Sequence, residues 1–161
     1  HCSSFSKTLA PGYRIGWVSP GRFGQRIERL KLMTTLSASV PAQMALADYL
    51  QHGGYDRHLR RLRHALEAHS LLQAIARYFP PGVKVSRPAG GYFLWVEFAV
   101  GFDTLRLHRE ALAQGISLAP GPIFSARLDF RHCLRLNYGH PWRPELEVAM
   151  ATLGALIRLQ G

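Results

Sequence analysis

Residues 55–161 predict an α/β sandwich, on three observations. A segment of helical period, striped with leucine and rich in arginine, runs from about Tyr55 to Tyr78 and stops at Pro80-Pro81-Gly82. Beyond it, residues 83–98 (VKVSRPAGGYFLWVEF) and 133–138 (CLRLNY) take up the two-residue period of strands. Further helical patterns alternate with those strands, the order from which a sheet covered by helices is built.

Each element has a local reason. Residues 24–36 (GQRIERLKLMTTL) mix charged and apolar residues at helical spacing. Ser39 followed by Pro41 marks a helix start, because the missing N–H of proline is harmless in a first turn. That helix carries Met44, Leu46, Tyr49 and Leu50, and Gly53-Gly54 stops it. Between Tyr55 and Tyr78 the stripe is Leu59, Leu62, Leu66, Leu72 and Ile75, with Arg57, Arg60, Arg61 and Arg63 largely off it. Pro88 and Gly90-Gly91 divide residues 83–98 into two strand segments. Asp103 is placed to cap a helix reaching Gln114, which Gly115 closes. Ile116 to Leu118 reads as a short strand and APGPIFS as a turn-rich loop. In CLRLNY the pleat puts Cys133, Arg135 and Asn137 on one face and Leu134, Leu136 and Tyr138 on the other. The last helix starts near Pro144 and is expected to bury Leu146, Met150, Leu153 and Ile157.

The first 50 residues have one extended segment and two helices but no sheet for them to cover, so a neighbouring set of strands is expected to complete them. The division into domains is expected at 1–54 and 55–161. Hydrophobic residues make up 47% of the 161, enough for a core and too many for wholesale disorder. No apolar run reaches the 18 or so residues of a membrane span. HCSSFSK lacks the basic and apolar regions of a signal peptide, and Cys2 and Cys133 alone are no disulfide framework, so a reducing cytoplasm is expected. The net charge of +10 raises a nucleic-acid partner, but DRHLRRLRH (residues 56–64) fits a solvated helix face better.

The chemistry concentrates in SSFSKTLAPGYRIGW, residues 3–17. A lysine amine forms an imine with an aldehyde when its surroundings moderate its basicity, and pyridoxal phosphate is the usual biological aldehyde. Its phosphate needs hydroxyl donors and a cation, and Ser4, Ser6 and Arg14 supply them around Lys7. Arg14 grips phosphate oxygens as a planar fork, and Pro11-Gly12 turns the chain so that Arg14 folds back toward the serines. An isolated Ser-x-Ser-Lys would more often be a surface lysine in a serine-rich loop. The eight histidines form no metal-ligand set, HALEAH (64–69) lacks the His-Glu-x-x-His spacing, and Cys133 reads as a small packed residue.

SFSKTLAPGYRIGW closely resembles the cofactor-lysine motif of class I and II aminotransferases, pyridoxal-phosphate enzymes of fold type I. The resemblance implies that Lys7 holds the cofactor as an imine and that Ser4 and Arg14 bind its phosphate. RPAGGYFLWVEF is similar to the family segment that opens the small domain, and APGPIFS to the loop after its short strand. HCLRLNYGH resembles the segment whose arginine clamps the substrate α-carboxylate, which would be Arg135. The implied fold is the C-terminal end of the cofactor-binding large domain plus the α/β small domain.

In that family a glycine-rich phosphate loop, a ring-stacking aromatic and an aspartate at the pyridine nitrogen precede the lysine, and none can be assigned here. The chain is therefore expected to be a C-terminal fragment, inactive alone. Two longer proteins fit. One is a MocR/GntR-type transcriptional regulator, a DNA-binding winged helix-turn-helix ahead of an aminotransferase-like effector domain. SSFSKTLAPGYRIGWVSPGRF, GGYDRHLRRLRHALEAH and CLRLNYGHPW resemble that branch more closely. The other is a free-standing aminotransferase, moving amino groups between amino acids and 2-oxo acids. Either is expected to be a homodimer; a fragment serving only as an interaction module is the third reading.

Overall fold

The computed structural model describes residues 1–66 and 68–160, which fall into two units, His1–His64 and Ala65–Gly161. In the first, strand β1 (Cys2–Ser4) leads directly into the single-turn helix α1 (Phe5–Thr8). A 3₁₀ turn at Pro11–Tyr13 reverses the chain into strand β2 (Gly16–Val18), antiparallel to β1 with Ser4 opposite Gly16. The ladder requires that glycine: a Cβ there would stand 2.8 Å from the Ser3 carbonyl oxygen.

Helices α2 (Gly24–Thr34), α3 (Val40–Gln51) and α4 (Gly54–Ala65) complete the unit. Ser39 is the N-cap residue of α3 with proline in its first turn, and Gly53, at φ 68°, ends that helix in the left-handed region. Of the large apolar side chains of this unit, Ile15 and Leu46 are buried among the described residues, while Leu30, Leu32, Met33, Leu36, Val40 and Met44 are exposed. Two helices with so much open apolar surface have not found their core within residues 1–64.

The second unit is a two-layer sandwich. Helix α5 (His69–Tyr78) is followed by strands β3 (Lys84–Val85) and β4 (Phe93–Glu97). Helix α6 (Thr104–Leu112), strands β5 (Ala119–Pro120) and β6 (Cys133–Asn137) and helix α7 (Pro144–Arg158) come next. The sheet is antiparallel, in the order β3-β4-β6-β5. Leu94, Val96 and Leu134 are fully buried on one face, against Leu71, Ala74 and Ile75 of α5, Leu107 and Ala111 of α6, and Met150, Leu153 and Ile157 of α7. Alternation then puts Phe93, Trp95, Cys133 and Arg135 on the opposite face, away from the helices.

Four details depart from the sequence reading. The helix expected over 55–78 is two helices, α4 and α5. Leu66, Leu72 and Ile75 pack into the second core, whereas Tyr55 hydrogen bonds to Thr8 in the first unit. A single straight helix would have to serve both. That expected helix and the HALEAH stretch both cross Glu67, which lies outside the described residues. The units divide at His64 and Ala65 rather than at residue 54, because α4 stays with the first. The strand expected at 116–118 forms instead at Ala119–Pro120, since the Ile116 N–H is taken by the Ala111 carbonyl where α6 ends. Leu146 is 37% exposed, in the first turn of α7 ahead of the part that meets the sheet. No helix among the described residues is long and apolar enough to cross a membrane.

Candidate functional site

In the first unit a hydrogen-bonded cluster forms around α1. Ser4 caps the helix: its Oγ accepts from the Ser6 N–H at 3.2 Å and donates to the Ile15 carbonyl at 3.4 Å. The 3₁₀ turn leaves Arg14 in the left-handed region, at φ 50°, an uncommon conformation for a non-glycine residue. From there its Nη1 donates to Ser6 Oγ at 3.0 Å. The Pro11-Gly12 turn thus returns the guanidinium to the serines. Lys7, between Ser6 and Thr8 on α1, is exposed.

Two contacts hold α1 in place. The Phe5 N–H donates to the Ile15 carbonyl at 2.9 Å, continuing the β1–β2 pairing. The Tyr55 hydroxyl donates to Thr8 Oγ1 at 2.8 Å, and its ring meets Phe5 edge-on with centroids 5.7 Å apart. Tyr55 thereby anchors the residue after Lys7 to the start of α4; a 47-residue separation hides such a pairing from sequence reasoning.

The electrostatics favour an anion. Residues 1–27 contain no Asp or Glu, and the first unit holds ten of the 20 Lys and Arg but three of the ten acidic residues. Hydroxyl donors, a guanidinium and an amine within one turn of chain fit a phosphate-bearing aldehyde. Arg14 uses one N–H on Ser6, and the Ser6 hydroxyl, an acceptor in that bond, still has its own proton to donate.

Arg135 belongs to the other unit. It occupies the middle of β6, opposite Trp95 on β4 and Ala119 on β5. Its guanidinium carbon lies 4.1 Å from the ring centre of Phe93 and 4.2 Å from that of Phe124. Its Nε is buried with no hydrogen-bond partner. The two rings were not singled out from the sequence, although the pleat places Phe93 two residues from Trp95 on the face of Arg135. Phe124, by contrast, comes from the 3₁₀ turn Gly121–Phe124, which no periodicity reveals. Cys133 shares this face but is 2% exposed, and burial pushes its thiol pKa up, away from the thiolate a nucleophile needs.

No family model matches the chain. Over 98% of its length the chain superposes on the kynurenine aminotransferase of Pyrococcus horikoshii, solved in complex with PMP, with a TM-score of 0.87 and 30% identity. The chain matches the C-terminal part of a fold type I aminotransferase domain. It covers 40% of that enzyme. Two uncharacterized HTH-type transcriptional regulators of Escherichia coli (strain K12) are similar to this chain in sequence. YdcR is 46% identical over 160 residues, 98% of this chain and 34% of its own. YjiR is 38% identical over 159 residues, 97% of this chain and 34% of its own. The chain thus spans about a third of the length of the curated relatives it matches.

Proposed function

We propose that this chain is part of the aminotransferase-like effector domain of a MocR/GntR-type transcriptional regulator, with pyridoxal phosphate attached at Lys7. The observation that carries the regulator reading is the 46% identity with YdcR across nearly the whole chain, against 30% with the kynurenine aminotransferase. The first unit then carries the end of the cofactor-binding large domain and the second the small domain.

When bound, pyridoxal phosphate supplies an aldehyde for covalent attachment and an electron-withdrawing ring. Lys7 provides the amine for that attachment. Arg14 neutralises phosphate charge while its bond to Ser6 keeps the guanidinium oriented. Ser6 adds a hydroxyl donor. Ser4 contributes by turning its proton from the Ile15 carbonyl, a bond of 3.4 Å and the longest in the cluster. On the second unit, Arg135 takes the carboxylate of an amino-acid or 2-oxo-acid ligand, and its buried Nε–H gains the acceptor it lacks. In the longer protein, a cytoplasmic homodimer, that ligand governs DNA binding by an upstream winged helix-turn-helix.

The test is the reading frame upstream of His1. A basic winged helix-turn-helix joined by a linker to the remaining aminotransferase half is expected. A frame that encodes only the rest of an aminotransferase replaces the regulator with a free-standing enzyme.

A further inference from the structure

A carboxylate paired with an arginine orients the guanidinium but also neutralises part of its charge and occupies its donors. Arg135 is held differently. Among the described residues it forms no ion pair, and the nearby Glu97 is engaged with Lys84 at 3.3 Å. Its cation instead lies over the rings of Phe93 and Phe124. An aromatic face attracts a cation through its quadrupole but offers no lone pair to an N–H. Such contacts fix the guanidinium while leaving its donors uncommitted, and the buried Nε–H without an acceptor is the visible result.

The second ring is itself braced. Trp95 meets both Phe124 and Phe130 edge-on, each at 5.8 Å between centroids. Phe130 sits in the left-handed region at φ 61°. Gly121 opens the turn that carries Phe124, and a Cβ there would stand 2.9 Å from both the Cys133 carbonyl oxygen and the Phe130 Cβ. Between these ends, Ser125 Oγ donates to Asp129 Oδ2 at 3.0 Å and accepts from the Arg127 N–H at 3.2 Å. These local bonds shape the loop that carries Phe124, and the ring it presents is 40% exposed.

We propose that Phe93 and Phe124 are positioning residues for Arg135: their ring faces hold the guanidinium rigid without neutralising it, so that its N–H edge meets a ligand carboxylate preformed. The proposal rests on the reading of Arg135 as the carboxylate site. It predicts that affinity for the ligand depends on an aromatic face at position 124, and that cofactor loading does not.

The test uses the full-length protein loaded with pyridoxal phosphate. Wild type, Phe124→Leu, Phe124→Tyr and Arg135→Gln are titrated with L-alanine, L-leucine, L-phenylalanine and L-glutamate by calorimetry, and cofactor content is read from absorbance. Phe124→Leu is expected to weaken the responding amino acid by about tenfold at unchanged cofactor content. Phe124→Tyr, which keeps the face, is expected to stay within about twofold of wild type. Phe124→Met replaces the leucine variant where that one does not fold. Wild-type affinity in the leucine or methionine variant, with binding lost in Arg135→Gln, overturns the positioning role and leaves the carboxylate reading standing. Unchanged affinity in Arg135→Gln, or no response of wild type to any of the four, removes both.

Discussion

Gly154 lies where α7 crosses the end of α5, and replacing it with alanine is expected to cost up to about 2 kcal/mol of stability. An ideal Cβ at that position would stand 2.9 Å from the Tyr78 carbonyl carbon and 3.0 Å from the Tyr78 Cβ, and closer still to the carbonyl oxygen. These are backbone and near-backbone atoms, which cannot swing aside. The carbonyl also accepts from Arg158 Nη1 at 2.7 Å. Relief therefore requires α5 and α7 to move apart, which loosens Leu71, Ala74 and Ile75 against Met150, Leu153 and Ile157. A gap of about 0.5–1 Å forfeits a quarter to a half of each dispersion contact, and overpacking of this kind typically costs about 1–3 kcal/mol. Alanine returns up to about 1 kcal/mol through its helix preference, leaving the net penalty stated. Urea titrations followed by circular dichroism, compared at constant slope, measure it. Gly90→Ala is the control, because nothing lies within 4 Å of a Cβ there; it should stay within about 0.5 kcal/mol of wild type. A Gly154→Ala protein more stable than wild type would refute the reasoning, since it would mean that the helices part at no cost.

Other perturbations test the same unit and the sites. The Tyr78 hydroxyl donates to Glu147 Oε1 at 2.5 Å, and that bond, with burial next, raises its pKa above the ordinary 10.0. A raised folded-state pKa contributes stability that is complete below pH 10 and lost as pH climbs through the folded value. Wild type should accordingly lose its advantage over Tyr78→Phe above pH 10 in urea titrations, with a constant gap between the two from pH 7 to 9. Asp103 accepts from the Leu105 N–H at 2.9 Å and the Arg106 N–H at 3.2 Å; Asp103→Ala should cost about 1 kcal/mol, read from the same titration. Phe124→Leu is expected to weaken amino-acid binding by about tenfold with cofactor loading unchanged.

Local signals carried much of the fold. Asp103 caps α6 as its place before an amphipathic run implies. Ser39 and Pro41 open α3, and Pro88 with Gly90-Gly91 separates β3 from β4. Alternation in CLRLNY put Leu134 and Leu136 in the core and Arg135 on the open face, because the pleat alone decides the side. What escaped depended on tertiary contacts. The division of 55–78 into α4 and α5 reflects two separate cores, and helical period is blind to which core a leucine enters. Strand β5 formed later than expected because Ile116 is spent on ending α6. At the sites, composition and spacing brought Ser4, Ser6, Lys7 and Arg14 together, all within eleven residues of chain. Thr8 with Tyr55 was out of reach because 47 residues separate them, and Arg135 with Phe124 because Phe124 comes from a 3₁₀ turn whose facing no periodicity reveals.

The central claim is that Lys7 is the attachment point of pyridoxal phosphate, and chemical trapping measures it most directly. Full-length protein is incubated with pyridoxal phosphate, reduced with borohydride, digested and mapped by mass spectrometry. The account predicts an absorbance that disappears on reduction and a phosphopyridoxyl label on Lys7. In Lys7→Ala the label should be absent, while weaker, non-covalent binding through Ser4 and Arg14 persists in equilibrium dialysis. A stoichiometric label on Lys31 or Lys84 with Lys7 unmodified would contradict it.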